Sequence, residues 1–187
     1  MAANNVPELR PWQVLEQQQL LNAPPWLSVY RERVQLPSER IIDDFYRVVL
    51  PDFAVVVPVT AAGEILMVRG YKHGLGRVTL TVPAGLLNPE EPPLDAARRE
   101  LLEETGYEAV EWKNLGTYLV DGNRQCGTMH LFVARNARAL RPPVPDDTEV
   151  LHSQLMSREQ VLEALRAGEL ATLAGAAAVA LALALGL

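Results

Sequence analysis

A chain of 187 residues buries one sizeable core but not two, so one domain with a small appendage is expected. Hydrophobic residues at 49% and charged residues at 21% exclude a disordered chain, a collagen and a disulfide scaffold. Seventeen Lys and Arg against 23 Asp and Glu give a net charge of −6 with no basic block, which argues against nucleic acid as a partner, although carboxylates holding divalent cations would still admit phosphates.

Residues 1–20 mix Asn, Glu, Arg and Gln with apolar residues and lack the basic start and apolar stretch of a secretory signal. Breaks at Pro24 and Pro25, at Pro37 and at Pro51 divide the first fifty residues. Between the breaks, residues 26–35 and 41–50 carry aromatic and β-branched side chains and predict two strands of a small sheet. Residues 53–60 are apolar enough for a strand buried on both faces, and a turn through Gly63 leads into a strand at 65–69. A strand at 78–82 is closed by Pro83, Ala84 and Gly85, and a Pro-rich loop runs to Pro93. Residues 94–105 have helical spacing, with Leu94, Ala97, Leu101 and Thr105 on the packing face and Gly106 as the stop.

Strands at 115–120 and 129–134 flank a polar loop at 121–127, and residues 141–147 read as another loop. A strand at 149–155 and a helix at 157–168 follow, with Ser157 as N-cap and Gln160 three residues on. Residues 170–187 carry no charge and reach the lower limit of a membrane span. Their alanine content and lack of a basic flank favour a helix buried on the core or on a second subunit, although Leu181, Leu183, Leu185 and Leu187 alternate like a strand. This order predicts an α/β sandwich with a mixed sheet at residues 51–187, preceded by an N-terminal strand region at 1–50. Cys126, the single cysteine, excludes an intrachain disulfide and suits a reducing cytoplasm.

The chemistry concentrates on the central helix, where Glu100, Glu103 and Glu104 share one side and Arg99 precedes Glu103 at i, i+4. A solvated, salt-bridged helix surface is the plain alternative. Like charges at this spacing repel by about a few tenths of a kcal/mol per pair, and a divalent cation relieves them. Carboxylates without nearby Cys or His select Mg2+, with Mn2+ or Ca2+ following the same logic. Such a site polarises phosphoryl oxygens and activates water, which points to hydrolysis of a phosphoric anhydride.

From Gly85 to Tyr107 the order is Gly, five residues, Glu91, seven residues, Arg99-Glu100, Leu101, one residue, Glu103-Glu104, one residue, Gly106 and Tyr107. This resembles the Nudix box, departing only in Tyr107, which stands at an aliphatic position. The surrounding elements are similar to Nudix hydrolases of the ADP-ribose and nucleoside-diphosphate-sugar pyrophosphatase group. The resemblance implies an α/β/α sandwich and Mg2+-dependent hydrolysis of a nucleoside diphosphate derivative, ADP-ribose or a nucleotide sugar, to a nucleoside monophosphate and a sugar phosphate. It also implies a homodimer built by residues 1–50. A catalytically silent nucleotide-binding or regulatory module on the same fold is the alternative, favoured only where the acidic residues degenerate, and here none is lost.

Carried over onto this sequence, the resemblance makes Glu100 and Glu104 Mg2+ ligands, Glu103 a ligand or near-ligand and the Ala84 carbonyl a further ligand. Gly85 and Gly106 serve backbone geometry, while Arg99 and Glu91 orient the acidic cluster. The general base in this group comes from a loop after the box, which selects Glu149, with Asp147 as rival and Glu103 as the base if it lies within the box. Arg69, Lys72 and Arg77 form a basic stretch suited to substrate phosphate or simply to solvent. His73, His130 and His152 are scattered and read as structural or surface residues, and Trp12 and Trp26 read as core aromatics unless they stack on a nucleobase. The loop at 121–127 lacks the proline frequent there in ADP-ribose hydrolases, which weakens that substrate assignment specifically.

Overall fold

The computed structural model describes residues 9–144 and 150–186. Its contacts divide the chain into two units, residues 1–51 with 119–127, and residues 52–118 with 128–187.

The first unit contains three antiparallel strands, β1 (Gln13–Ala23), β2 (Leu27–Gln35) and β3 (Ile41–Val49), in that spatial order. β1 has no counterpart in the sequence reading. Its run of Gln, Glu and Leu has neither strand composition nor alternation, and pairing with β2 supplies what propensity does not. Cross-strand hydrogen bonds join Glu16 to Arg33, Gln17 to Glu32, Gln18 to Arg31 and Gln19 to Tyr30, at 2.7–3.1 Å. Glu32 is 4% exposed and accepts from Gln17 and from Arg47 Nε at 2.8 Å, while Arg47 also donates to Gln125 Oε1 at 2.6 Å. Both expected core tryptophans are exposed: Trp26 lies in the turn before β2, and Trp12 meets Phe45 edge-on.

In the second unit, β4 (Phe53–Thr60) runs parallel to β10 (Gln125–Ala139) and antiparallel to β5 (Ile65–Lys72), which pairs with β11 (Leu151–Met156). β6 (Arg77–Thr81) pairs with β5, β7 (Ala84–Leu86) with β4, and β8 (Tyr107–Glu108) and β9 (Glu111–Asp121) with β10. The tip of the β9–β10 hairpin, residues 119–127, belongs to the first unit.

Strand alternation sorts the apolar side chains of this mixed sheet onto two faces. Ala54, Val56 and Leu66 pack with Ala96, Ala97 and Leu101 of α1 (Pro93–Thr105). Val55, Val57, Val59, Ile65 and Met67 pack with α2 (Arg158–Arg166) and α3 (Leu173–Ala184). The result is a sheet between helices, as the sequence predicts, and full burial of Leu101 alone contributes about 1.5–3 kcal/mol.

α1 starts on Pro93, whose missing N–H costs nothing in the first turn, and stops at Gly106 with φ 73. α2 carries the expected capping box between Ser157 and Gln160. α3 begins at the Thr172 cap and remains helical through Leu181 and Leu183, because Ala178, Val179, Ala182 and Leu183 bury one flank. No helix among the described residues is long and apolar enough to cross a membrane.

Candidate active site

Arg99 organises the acidic side of α1. Its Nε and Nη2 hold both oxygens of Glu91 at 2.9 Å, and Nη1 donates to Glu100 at 2.5 Å and to Glu103 at 3.2 Å. Nη2 also donates to the Leu86 carbonyl at 2.9 Å, so every one of the five guanidinium protons has an acceptor. The paired hydrogen bonds from Arg99 hold the Glu91 carboxyl down to about 2 from an ordinary 4.5, outweighing the opposing effect of burial. The Arg99 pKa is raised, chiefly by the same bonds. Glu91 also accepts from the Asn88 amide at 2.8 Å, tying the loop before α1 to the helix.

Two close approaches bring the loop and helix together. A Cβ at Gly85 would meet the Glu100 carboxylate, so any larger residue there would have to displace that side chain. A Cβ at Gly106 would strike the Arg141 carbonyl, on a backbone already in the left-handed region. The Leu140 and Arg141 amides donate to the Gly106 carbonyl, and the Val144 amide donates to Glu103 O at 2.9 Å. Val144 lies among Pro142, Pro143 and Pro145, so it is the one residue of that run with a main-chain donor, and the last turn of α1 receives it. The sequence showed the prolines but not their anchor.

Glu104 is 7% exposed, and its Oε2 accepts from the Ala84 amide at 3.3 Å. Glu104 and Ala84 line a cavity of about 170 Å3 together with Lys72 and the start of α3. The structure therefore brings Ala84, Gly85, Glu91, Arg99, Glu100, Glu103 and Glu104 to one corner of the second unit. Among the described residues no three His, Cys, Asp or Glu side chains gather as a ready-made metal-binding group. The reason is visible in the contacts: Glu100 and Glu103 turn to Arg99, whereas Glu104 turns to Ala84. The donors nonetheless fit a hard divalent cation, being carboxylate oxygens backed by main chain, and such a cation would compete with Arg99 for Glu100 and Glu103.

The remaining candidates are dispersed. Lys72 lies on the cavity wall, but Arg69 is ion-paired with Glu169 at 2.5 Å, a partner one hundred residues away that no local pattern reveals. Glu149 and Asp147 lie outside the described residues. His130 meets the Thr117 hydroxyl at 3.3 Å, His73 meets the Tyr71 hydroxyl at 3.4 Å, and His152 is exposed.

Comparison with known proteins places the chain in a family. The chain is 30% identical over 148 residues to an ADP-ribose pyrophosphatase of Bacillus subtilis, covering 76% of this chain and 77% of the relative. It is 27% identical over 147 residues to a CMP-5'-(N-acetyl-N-hydroxy-3-aminopropyl)phosphonate hydrolase of Streptomyces rubellomurinus, covering 79% and 70% of the two chains. The crystal structure of an ADP compounds hydrolase superposes with a TM-score of 0.82 at 18% identity over 96% of each chain, which speaks for the fold. The NUDIX domain model matches residues 50–174, spanning β4 to the first turn of α3 and thus the whole acidic corner, and the chain belongs to the Nudix hydrolase family.

Proposed function

We propose that the protein hydrolyses the diphosphate of a nucleoside diphosphate linked to a second moiety, ADP-ribose or a nucleotide sugar, releasing a nucleoside monophosphate and a sugar phosphate. The observation that carries this reading is the complete carboxylate set on α1, with Glu104 buried at a cavity and Glu100 packed against Gly85. The two relatives named for hydrolysis of nucleotide derivatives support the same substrate class.

Glu100, Glu104 and the Ala84 carbonyl hold Mg2+ in this proposal, with Mn2+ as substitute and Glu103 as ligand or near-ligand. Bound Mg2+ supplies phosphoryl polarisation and an activated water. Arg99 and Glu91 orient the carboxylates, Lys72 and the main chain at Gly85 bind substrate, and Arg69 does so only by leaving Glu169. Glu149 accepts the proton of the attacking water, with Asp147 and Glu103 as alternatives. The flanks of its segment support this: Val144 is bonded to Glu103 O, and Leu151 lines the cavity beside Glu104.

The test is a panel of ADP-ribose, nucleotide sugars, dinucleotides and nucleoside triphosphates, each with and without Mg2+. ADP-ribose is expected to give AMP and ribose 5-phosphate only with the metal. Glu149→Gln is expected to lose about 10²-fold or more in kcat, with Asp147→Asn much closer to wild type. Metal-independent turnover, or hydrolysis of triphosphates alone, would overturn the reading.

Residues 1–50 are proposed as a dimer-forming region and the protein as cytoplasmic. β1 is an edge strand exposed along ten of its eleven residues, with Val14, Leu15, Leu20 and Leu21 in water, an arrangement that a second subunit would cover. Light scattering is expected to give twice the monomer mass, and a monomer mass at every concentration would contradict the dimer.

A further inference from the structure

Resting on the proposed reading, we infer that the first turn of α3, through Ala174 and Gly175, sets the size limit of the non-nucleoside moiety that the enzyme accepts. The cavity beside Glu104 is about 170 Å3, below the roughly 300–1,000 Å3 that encloses a drug-sized ligand. It takes a fragment of the substrate. Its polar lining comes from Lys72, Thr81, Glu104 and Thr172, and no aromatic side chain is among the described residues that line it. The rest of the lining is aliphatic or glycine, so a small fragment with hydroxyl groups suits the cavity better than a nucleobase, which would find no stacking surface. Aromatic side chains line a separate cavity of this unit, of about 400 Å3, with Trp112, His130 and Phe132 beside Pro92 and Pro93.

Ala174 and Gly175 form part of the wall. A Cβ at Gly175 would lie 2.6 Å from Thr81 Oγ1 and 2.9 Å from Thr172 Oγ1, so there is no room for a side chain there and α3 passes close to β6. The segment before α3 is fastened. Thr79, 2% exposed, donates to Glu169 O at 2.8 Å and accepts from the Ala171 amide at 3.0 Å, while the Leu80 amide donates to the same carbonyl at 3.1 Å. With the backbone held in this way, a methyl group added or removed at position 174 changes cavity volume instead of helix position.

The experiment keeps the ADP half of the substrate constant and varies the other: ADP-ribose, a pentose, against ADP-glucose, a hexose. Ala174→Val is expected to lower the ratio of kcat/KM for ADP-glucose over ADP-ribose by about tenfold or more. Ala174→Gly removes that methyl group at a cost in helix stability shared by both substrates, and it is expected to raise the ratio, so its shift carries the test by itself. Equal changes for both substrates in both variants would overturn the inference while leaving the diphosphate reading intact. Absence of turnover on every ADP-linked substrate by the wild-type enzyme would instead overturn the reading on which it rests.

Discussion

Glu104→Gln is expected to lower kcat at least about 10²-fold and to raise the Mg2+ concentration needed for half-maximal activity, with the protein still folded. The substitution keeps the shape of the side chain and an oxygen able to accept from the Ala84 amide, so packing at this buried position is retained. What it removes is one negative charge facing the cavity. In the proposed role of metal ligand it would forfeit part of the several kcal/mol of transition-state stabilisation that a bound cation supplies, and about 2.7 kcal/mol is a factor of 10². Glu103→Gln is expected to cost less, about tenfold, because its carboxylate is 44% exposed and engaged by Arg99 at 3.2 Å. Steady-state rates across a Mg2+ titration, with thermal melting as the folding control, decide the matter. Undiminished turnover in a Glu100→Gln, Glu104→Gln double variant would remove these carboxylates from the mechanism.

The acidic corner was legible because its parts lie within one continuous stretch. Helical spacing places Glu100, Glu103 and Glu104 together, and the glycines at 85 and 106 mark close approaches that the structure shows as contacts with Glu100 and Arg141. The sheet was legible where both faces are buried, as in β4, since a continuous apolar run needs no partner to be recognised. β1 was invisible for the opposite reason: it forms by pairing with β2, through the backbone ladder and polar side-chain pairs, which sequence order does not display. The same holds for Arg69, which reads as a free cation until Glu169 is brought beside it, and for the wall of the cavity, assembled from β4, β5, β6, β7, β11, α1 and the start of α3. Trp12 and Trp26 failed as core residues because the first unit buries few side chains, Glu32 and Val34 among them, and leaves both tryptophans exposed.

Arg99→Ala is expected to destabilise the protein by about 2–3 kcal/mol at pH 7, at or below the low end of the range for breaking a buried ion pair because Arg99 is 26% exposed. Three carboxylates lose a shared partner at once, and the Leu86 carbonyl loses its donor. Arg99→Lys restores the charge without the planar fork, so it is expected to recover only part of the loss. The pH dependence distinguishes this account from a simple packing defect. The folded-state Glu91 carboxyl lies at about 2, below its ordinary 4.5, so its contribution is complete above about pH 4.5 and is lost as pH falls toward 2. Without Arg99 that contribution is absent, and Glu91, Glu100 and Glu103 repel one another whenever they are ionised. Acid relieves the variant while it weakens the wild type, so the stability gap between them must close between about pH 4.5 and 2. Urea unfolding at pH 7 and at pH 3 measures the gap directly. An equal gap at both values would show that Arg99 acts through packing and that its hold on Glu91 contributes nothing to folding.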